Sequence, residues 1–135
     1  MTTTPAKTNG IHHLGLTVPN LAQAREFFVD ALGFSQVGEK PNYPAVFVSD
    51  GAVMITLWQA NEGATAFDRH TNIGLHHFAL EVPGHEALEA LHEAFALRED
   101  VVVEFAPEPL GTAGARHLMS RIPGNIRLEL IAPHA

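Results

Sequence analysis

Two copies of one short motif place histidines at equivalent points of the chain. The stretch HHLGLTVP at 12–19 returns sixty-four residues later as HHFALEVP at 76–83, with five of the eight residues identical. A third group, Glu129, lies between two leucines, where an ionised carboxylate needs a cation, a metal ion or several hydrogen-bond donors. Two imidazoles and one carboxylate form the ligand set of non-haem Fe(II) and related divalent metals. We therefore predict a metal site made of His13, His77 and Glu129.

Strand parity places these residues on a common face. Polar and apolar residues alternate over 11–18, so His13 faces away from the side that packs against helices. The neighbouring His12 and His76 have the opposite parity and are interpreted as packing residues or supports of the ligands. Two alternatives stay open. A histidine on a strand is more often a hydrogen-bonded core residue, and Glu129 could form an ion pair with an arginine at 116 or 127.

The elements that must position these residues also repeat. In the first module, Asn20 and Gln23 predict a capping box at the start of a helix over 21–32. Its strands are expected at 11–18, 34–39, 44–48 and 52–58, with a turn at Asp50-Gly51. The second module repeats this order with a strand at 75–82, a helix at 86–97, a strand at 101–105, a Pro/Gly loop at 106–114, and strands at 115–121 and 126–131.

This order predicts an α+β fold in which two βαβββ modules form a cupped mixed sheet with helices on the outer face. We expect one domain over 9–133, with module one at about 11–58, a linker at 59–73 and module two at about 74–131. The 135 residues are 46% apolar, enough for one domain that buries roughly two-thirds of its unfolded surface.

Composition excludes several classes of protein. The chain has no cysteine, so His, Asp and Glu are the metal ligands to look for. Eight basic and fifteen acidic residues give a net charge of −7, the wrong sign for a nucleic-acid partner. No window approaches the ~20 apolar residues of a membrane span. We expect a cytoplasmic protein with neither nucleic acid nor membrane as a partner.

At these residues the chain resembles the vicinal oxygen chelate superfamily, which includes glyoxalase I, bleomycin-resistance proteins, fosfomycin-resistance enzymes and extradiol dioxygenases. The resemblance rests on the stretches at 11–18, 25–34, 74–82 and 123–130. It implies two βαβββ modules around a divalent metal, with His13, His77 and Glu129 as ligands. It also implies a homodimer, in which the cups of two chains often complete one another.

The resemblance departs from glyoxalase I at Thr56, which takes the place of a fourth ligand. A threonine hydroxyl is a poor ligand for a divalent cation, so three protein ligands are expected, as in extradiol dioxygenases. Fe(II) or Mn(II) is favoured as the cofactor, and Ni(II) or Zn(II) is an alternative. Extradiol enzymes usually offer a tyrosine on the strand before the glutamate strand, and this chain has none there. His117 or His70 is the predicted proton-transfer group instead.

The predicted substrate pocket is mainly apolar, which favours an aromatic or similarly hydrophobic small molecule. Its residues are Phe47, Met54, Thr56, Trp58, Met119 and Arg127. The first functional hypothesis is a metal-dependent dioxygenase of the extradiol type, which binds adjacent substrate oxygens. The alternatives are a glyoxalase I-like lyase or isomerase and a non-catalytic binding protein of the bleomycin-resistance kind.

Overall fold

A computed structural model describes residues 4–135 as two modules with the same order of elements. The first contains β1 (His13–Val18), α1 (Leu21–Glu26), a π-helical segment (Phe27–Ala31), β2 (Ser35–Lys40), β3 (Ala45–Ser49) and β4 (Met54–Gln59). The second contains β5 (Phe78–Glu81), α2 (His85–Ala96), β6 (Val102–Leu110), β7 (Ala115–Ile122) and β8 (Ile126–Ala132).

Each module forms its own four-stranded mixed sheet. The strand orders are β1-β4-β3-β2 and β5-β8-β7-β6, and in both sheets the first strand pairs in parallel with the last while the other pairs are antiparallel. The helices lie outside the sheets, so the α+β prediction of two βαβββ modules is confirmed. Within residues 4–135, no helix is long and apolar enough to cross a membrane.

The register gives equivalent positions in the two sheets. Gly15 on β1 faces Thr56 on β4, and Ala79, sixty-four residues after Gly15, faces Glu129 on β8. Thr56 and Glu129 therefore occupy the same place in their modules. Both are buried, at 5% and 8% exposed.

The first helix begins as predicted and changes its winding after six residues. The Asn20 side chain accepts a hydrogen bond from the backbone N–H of Gln23 at 3.0 Å, which confirms the predicted cap. From Phe27 the helix widens to π geometry, whereas the sequence predicted one α-helix over 21–32. Gly33 ends it with a φ of 73°, in the left-handed region that glycine adopts without strain.

The helices of the two modules meet in one apolar core. Phe27 and Phe95 are fully buried, and their ring centroids lie 5.6 Å apart. Apolar residues of both sheets belong to the same cluster, including Leu57 on β4 and Leu118 on β7. The modules therefore bury their apolar faces together.

Two strand predictions for the second module were wrong. The segment 106–110 was expected in a loop because it contains Pro107 and Pro109, but β6 continues through it to Leu110. β6 is an edge strand with one neighbour, where a missing N–H is tolerated, and its pairing has irregularities on either side of Phe105. The strand expected over 75–82 begins only at Phe78, so His77 lies immediately before it.

Candidate metal centre

Glu129 is the buried carboxylate around which the polar residues of the second module gather. It lies on β8, and its two neighbours in the strand are fully buried leucines. Its Oε2 lies 2.6 Å from Nδ1 of His117 on β7, and its Oε1 lies 3.1 Å from Nε2 of His77. Because an ionised carboxylate can only accept, Nδ1 of His117 donates. Two of the predicted groups, His77 and Glu129, are thus in contact.

The arginines that could have neutralised Glu129 pair elsewhere. Arg127 donates to Glu104 from Nε at 2.8 Å and from Nη2 at 3.3 Å. Arg116 donates to the carbonyl of Pro107 at 2.8 Å and lies 3.8 Å from Glu89. Glu129 therefore does not form the alternative ion pair with Arg116 or Arg127. The two side chains in close contact with its carboxylate are the imidazoles of His77 and His117.

A second layer of side chains surrounds His77. Its Nδ1 lies 2.7 Å from Nδ1 of His76, which is also 3.3 Å from Nη1 of Arg127. Desolvation of the ring, followed by the positive charge of Arg127, lowers the pKa of His76. The hydrogen bonds from Arg127 likewise lower the pKa of Glu104. His76 therefore lies beside the Arg127–Glu104 ion pair with its neutral form favoured.

His13 belongs to the other sheet. It is the first residue of β1, and its Nδ1 lies 2.9 Å from Nδ1 of His12. Within residues 4–135, no three His, Asp or Glu side chains are arranged so as to hold a metal ion. The chain thus brings together two of the three predicted ligands and leaves His13 apart from them.

The predicted pocket residues divide between the two sheets. In the first module, Nε1 of Trp58 donates to Oγ1 of Thr56 at 2.9 Å, and the Trp58 ring lies 6.1 Å from that of Phe47 and 5.2 Å from that of Tyr43. Met54 is half-buried on the same strand. Tyr43 was not among the predicted residues, because its position depends on the turn before β3.

In the second module, Met119 is buried and faces Glu129 in the register, and Arg127 is held by Glu104. Of the two predicted proton-transfer groups, His117 contacts Glu129 and packs against Phe105 at 5.0 Å. The structure places His70 on the linker, where it is exposed and contacts Asp68 at 3.2 Å.

An open cleft of about 920 Å³ lies where β1, β8 and the linker meet. Its lining includes Thr17, Phe67, Leu75, His76 and Arg127. Arg127 is thus a predicted pocket residue that reaches this cleft, and His76 connects the cleft to His77.

Comparison with known proteins gives the same family as the sequence motifs. A family model described as the Glyoxalase/Bleomycin resistance protein/Dioxygenase superfamily matches residues 10–129. The chain belongs to this superfamily. Over 99 residues it is 30% identical to a protein of Bacillus subtilis (strain 168) named catechol-2,3-dioxygenase, which covers 66% of this chain and 34% of that protein. The chain therefore spans about a third of the length of this curated relative.

Solved structures of the superfamily share the fold. A glyoxylase/bleomycin resistance protein/dioxygenase domain from Frankia sp. EAN1pec has a TM-score of 0.81 and 22% identity, with 93% of this chain and 98% of that chain covered. A lactoylglutathione lyase from Agrobacterium tumefaciens has a TM-score of 0.72 and 20% identity, with 94% and 96% covered. The superfamily fold is thus shared with proteins of differently named activities.

The donors at His77 and Glu129 fit a divalent cation. An imidazole nitrogen and a carboxylate oxygen lie 3.1 Å apart, and both are ligand types of catalytic divalent metals. The sequence reasoning missed Glu104, whose role depends on the pairing of Arg127. The only sequence signal for His76 is that the two-histidine motif is repeated, which does not distinguish the two rings.

Proposed function

We propose that the protein is a metal-dependent enzyme acting on a small molecule, with each site shared between two copies of the chain. His77 and Glu129 of one copy and His13 of the other would hold the cation. The observation that best supports this proposal is the buried carboxylate of Glu129, which lies beside His77 and His117. The separation of His13 from this pair within one chain is the reason for a second copy.

The residues around Glu129 have separable tasks in this proposal. A bound divalent cation would supply Lewis acidity, and Fe(II) would additionally activate dioxygen. His117 donates to Oε2 and so orients the carboxylate with Oε1 toward His77. Its Nε2, 3.8 Å from Glu108, is the position at which it would exchange a proton with substrate. Thr56 already accepts from Trp58, so its hydroxyl positions that ring.

The favoured activity is an extradiol-type dioxygenase acting on an aromatic or otherwise apolar substrate, with Fe(II) or Mn(II) as the cofactor. The ligand set supports this class, because it leaves positions open for two adjacent substrate oxygens. The aromatic residues of the first module, Phe47 and Trp58 with Tyr43, offer a surface for a ring. The Bacillus subtilis relative is named for an activity of this class.

Metal analysis combined with substrate screening tests the activity. We expect iron or manganese in anaerobically purified protein, and oxygen uptake that depends on an added catechol. Nickel or zinc with isomerisation of hemithioacetals would instead identify a glyoxalase-type lyase. Protein that binds apolar ligands tightly and takes up no metal would overturn the enzymatic proposal.

Subunit complementation tests the shared site. His13→Ala and Glu129→Gln should each abolish activity, because each removes a ligand from every site. In a refolded mixture, hybrid dimers combine both lesions in one site and leave the other intact, so about a quarter of wild-type activity should return. A mixture as inactive as its parents, with hybrids demonstrated by mass, would show that the ligands come from one chain.

A further inference from the structure

We infer that the open cleft where β1, β8 and the linker meet binds a small organic carboxylate, with Arg69 as its main cationic contact and an apolar wall for the rest of the molecule. The cleft has a volume of about 920 Å³, within the size range of small-molecule sites. The inference goes beyond the proposed function, because it needs neither a metal ion nor a second copy of the chain.

Positive charge is concentrated beside this cleft. Arg121 and Arg127 face each other across β7 and β8, and like charges directly opposite one another destabilise a sheet. The hydrogen bonds from Arg127, with the positive charges of Arg69 and Arg121, lower the pKa of Glu104, so three arginines act on this one carboxylate. The protein as a whole has a net charge of −7. An anion in the cleft would offset the local excess of positive charge.

The first sheet shows that the fold does not require these charges. Met54 is the equivalent of Arg127, and it faces Ser49, the equivalent of Arg121. Neither residue of this pair is ionisable, although the strands have the same register. The facing arginines are therefore a feature of the second module alone, and their repulsion is a cost that an anionic ligand would reduce.

The acidic residue in the lining of the cleft, Asp68, is engaged within the linker. Its Oδ1 accepts from the backbone N–H of His70 at 2.9 Å and lies 3.2 Å from Nδ1 of that ring. The backbone hydrogen bond is the main cause of the lowered pKa of Asp68. Because its side chain is 54% exposed, water screens its repulsion of an anion.

Arg69 and Asn125 line the cleft and supply donors for a carboxylate. The 4.0 Å contact of Arg69 with Glu104 is too long for a hydrogen bond, and within residues 4–135 the Arg69 side chain donates no other. Its N–H groups are therefore available, and a guanidinium matches the two oxygens of a carboxylate. Oδ1 of Asn125 accepts from Nη1 of Arg121 at 3.1 Å, which leaves the amide N–H groups of Asn125 as donors.

An apolar wall defines the other half of the ligand. Phe67 and Leu75 line the cleft and are 46% and 38% exposed, so a ligand that covers them removes apolar surface from water. The ring of Phe67 lies against Gly74, where a Cβ atom would come within 3.2 Å of it. The backbone thus supports the ring from one side. A carboxylate with an aromatic or aliphatic body matches both halves of the cleft.

Titration calorimetry of the full chain, treated with a chelator, tests the inference with a matched pair of probes, phenylacetate and the uncharged phenylacetamide. Phenylacetate should bind about tenfold to hundredfold more tightly, because hydrogen bonds to a charged group contribute that much. Arg69→Met should remove this preference, and Phe67→Ala should weaken the binding of both probes alike. Arg116→Met removes the same charge from β7, where Arg116 contacts Glu89, and should change neither affinity.

Three results would overturn the inference: no binding of phenylacetate, equal affinities for the two probes, or an unchanged preference in Arg69→Met that retains its backbone amide dispersion. Inorganic phosphate that binds as tightly as phenylacetate would overturn the assignment of an organic ligand. During titration with phenylacetate, the backbone amide shifts of Phe67 and Asn125 should change, which locates the probe in the cleft.

The outcomes also separate the inference from the proposed function. If phenylacetate binds only after Mn(II) is added, and Glu129→Gln abolishes this binding while Arg69→Met does not, the carboxylate binds the metal ion. The inference then fails and the metal-dependent function stands. If phenylacetate binds to the chelator-treated protein as described but Mn(II) does not bind, the inference holds and the metal-dependent function fails.

Discussion

Where Gly15 faces Thr56 in the first sheet, Ala79 faces Glu129 in the second. The same register extends to other positions. Met54 on β4 corresponds to Arg127 on β8. Ala45 on β3 faces Trp58. The equivalent residue of the second module is His117 on β7, which faces Ile131. Among these positions, only His13 and its counterpart His77 place an ionisable group in both modules.

The same βαβββ arrangement can therefore present two chemically different surfaces. Buried charges are costly unless each has partners, and the second sheet provides them as a connected set around Glu129. The first sheet has a threonine at that position and offers aromatic rings instead. We therefore expect a change at Glu129 to affect cation binding, whereas a change at Thr56, the equivalent position of the first sheet, should affect the fit of an apolar ligand.

The largest expected effect is on stability, and it comes from a substitution that tests whether the two modules fold as separate units. Phe95→Ala should lower the free energy of unfolding by about 3–5 kcal/mol, because it leaves a cavity against Phe27 at the junction of the helices. Denaturant unfolding followed by fluorescence of Trp58 and by circular dichroism should give one shared transition. Phe67→Ala, at a side chain 46% exposed, is the control. Two separate transitions would mean that the modules fold independently.

Substitutions at the two equivalent positions, Glu129 and Thr56, test whether cation binding depends on the second sheet's residue alone. Glu129→Gln should weaken Mn(II) binding by more than about a hundredfold, since loss of a ligand exceeds the loss of a supporting residue. Thr56→Val, at the equivalent position, should leave Mn(II) affinity within about twofold while disturbing the Trp58 ring. Competition titration measures both. Equal losses from the two variants would mean that Thr56 contributes to the cation site as much as Glu129 does.

A buried hydrogen bond of Ser120 distinguishes the core of the second sheet from that of the first. It faces Leu128 and donates to that carbonyl at 2.8 Å while fully buried, whereas Val48 occupies the equivalent place in the first sheet. Ser120→Ala should cost about 1 kcal/mol of unfolding free energy. The exposed Ser35→Ala should change it by less than about 0.5 kcal/mol. A cost for Ser120→Ala as small as that of the control would mean that this bond adds nothing.

The smallest expected effect concerns pH. Arg127 lowers the pKa of Glu104 from its ordinary 4.5, so the folded state binds this proton less readily than the unfolded state. Stability from the pair is therefore complete above pH 4.5 and is lost as the pH falls through the lower folded value. Glu104→Gln should cost less than about 1 kcal/mol at neutral pH, and the difference from wild type should shrink on acidification.

The Arg127→Met background gives the matched control for this prediction. Without the guanidinium, Glu104→Gln should show no loss of stability that grows with pH, as measured by urea unfolding across the acid range. A pH dependence that persists in this background would assign the shift to another cation, such as Arg69 at 4.0 Å.

Much of the architecture follows from local pattern. Alternation over 11–18 and the cap at Asn20 are short-range signals, and each predicted its element. The two prolines of β6 misled the prediction because tolerance of a missing N–H depends on being at a sheet edge, which is set by long-range pairing. The π-helical turns after Glu26 likewise have no periodic signal of their own.

In the candidate site, too, the features that follow from local pattern were predicted and those that depend on long-range contacts were not. Parity placed Thr56 and Glu129 on corresponding faces, because it needs only the two-residue repeat of a strand. It could not show that Arg127 would choose Glu104, twenty-three residues away, over Glu129 on its own strand. Nor could it show that His13 lies apart from His77, because that depends on how two separately formed sheets pack through their helices.

The prolines of β6 also bear on what can attach to this protein. An exposed edge strand invites another chain to extend the sheet, and residues without an N–H weaken such pairing. At Pro107 and Pro109 an incoming strand meets backbone that cannot donate. The bulges around Phe105 further disrupt a regular ladder. These features oppose the addition of another strand at the outer edge of the second sheet.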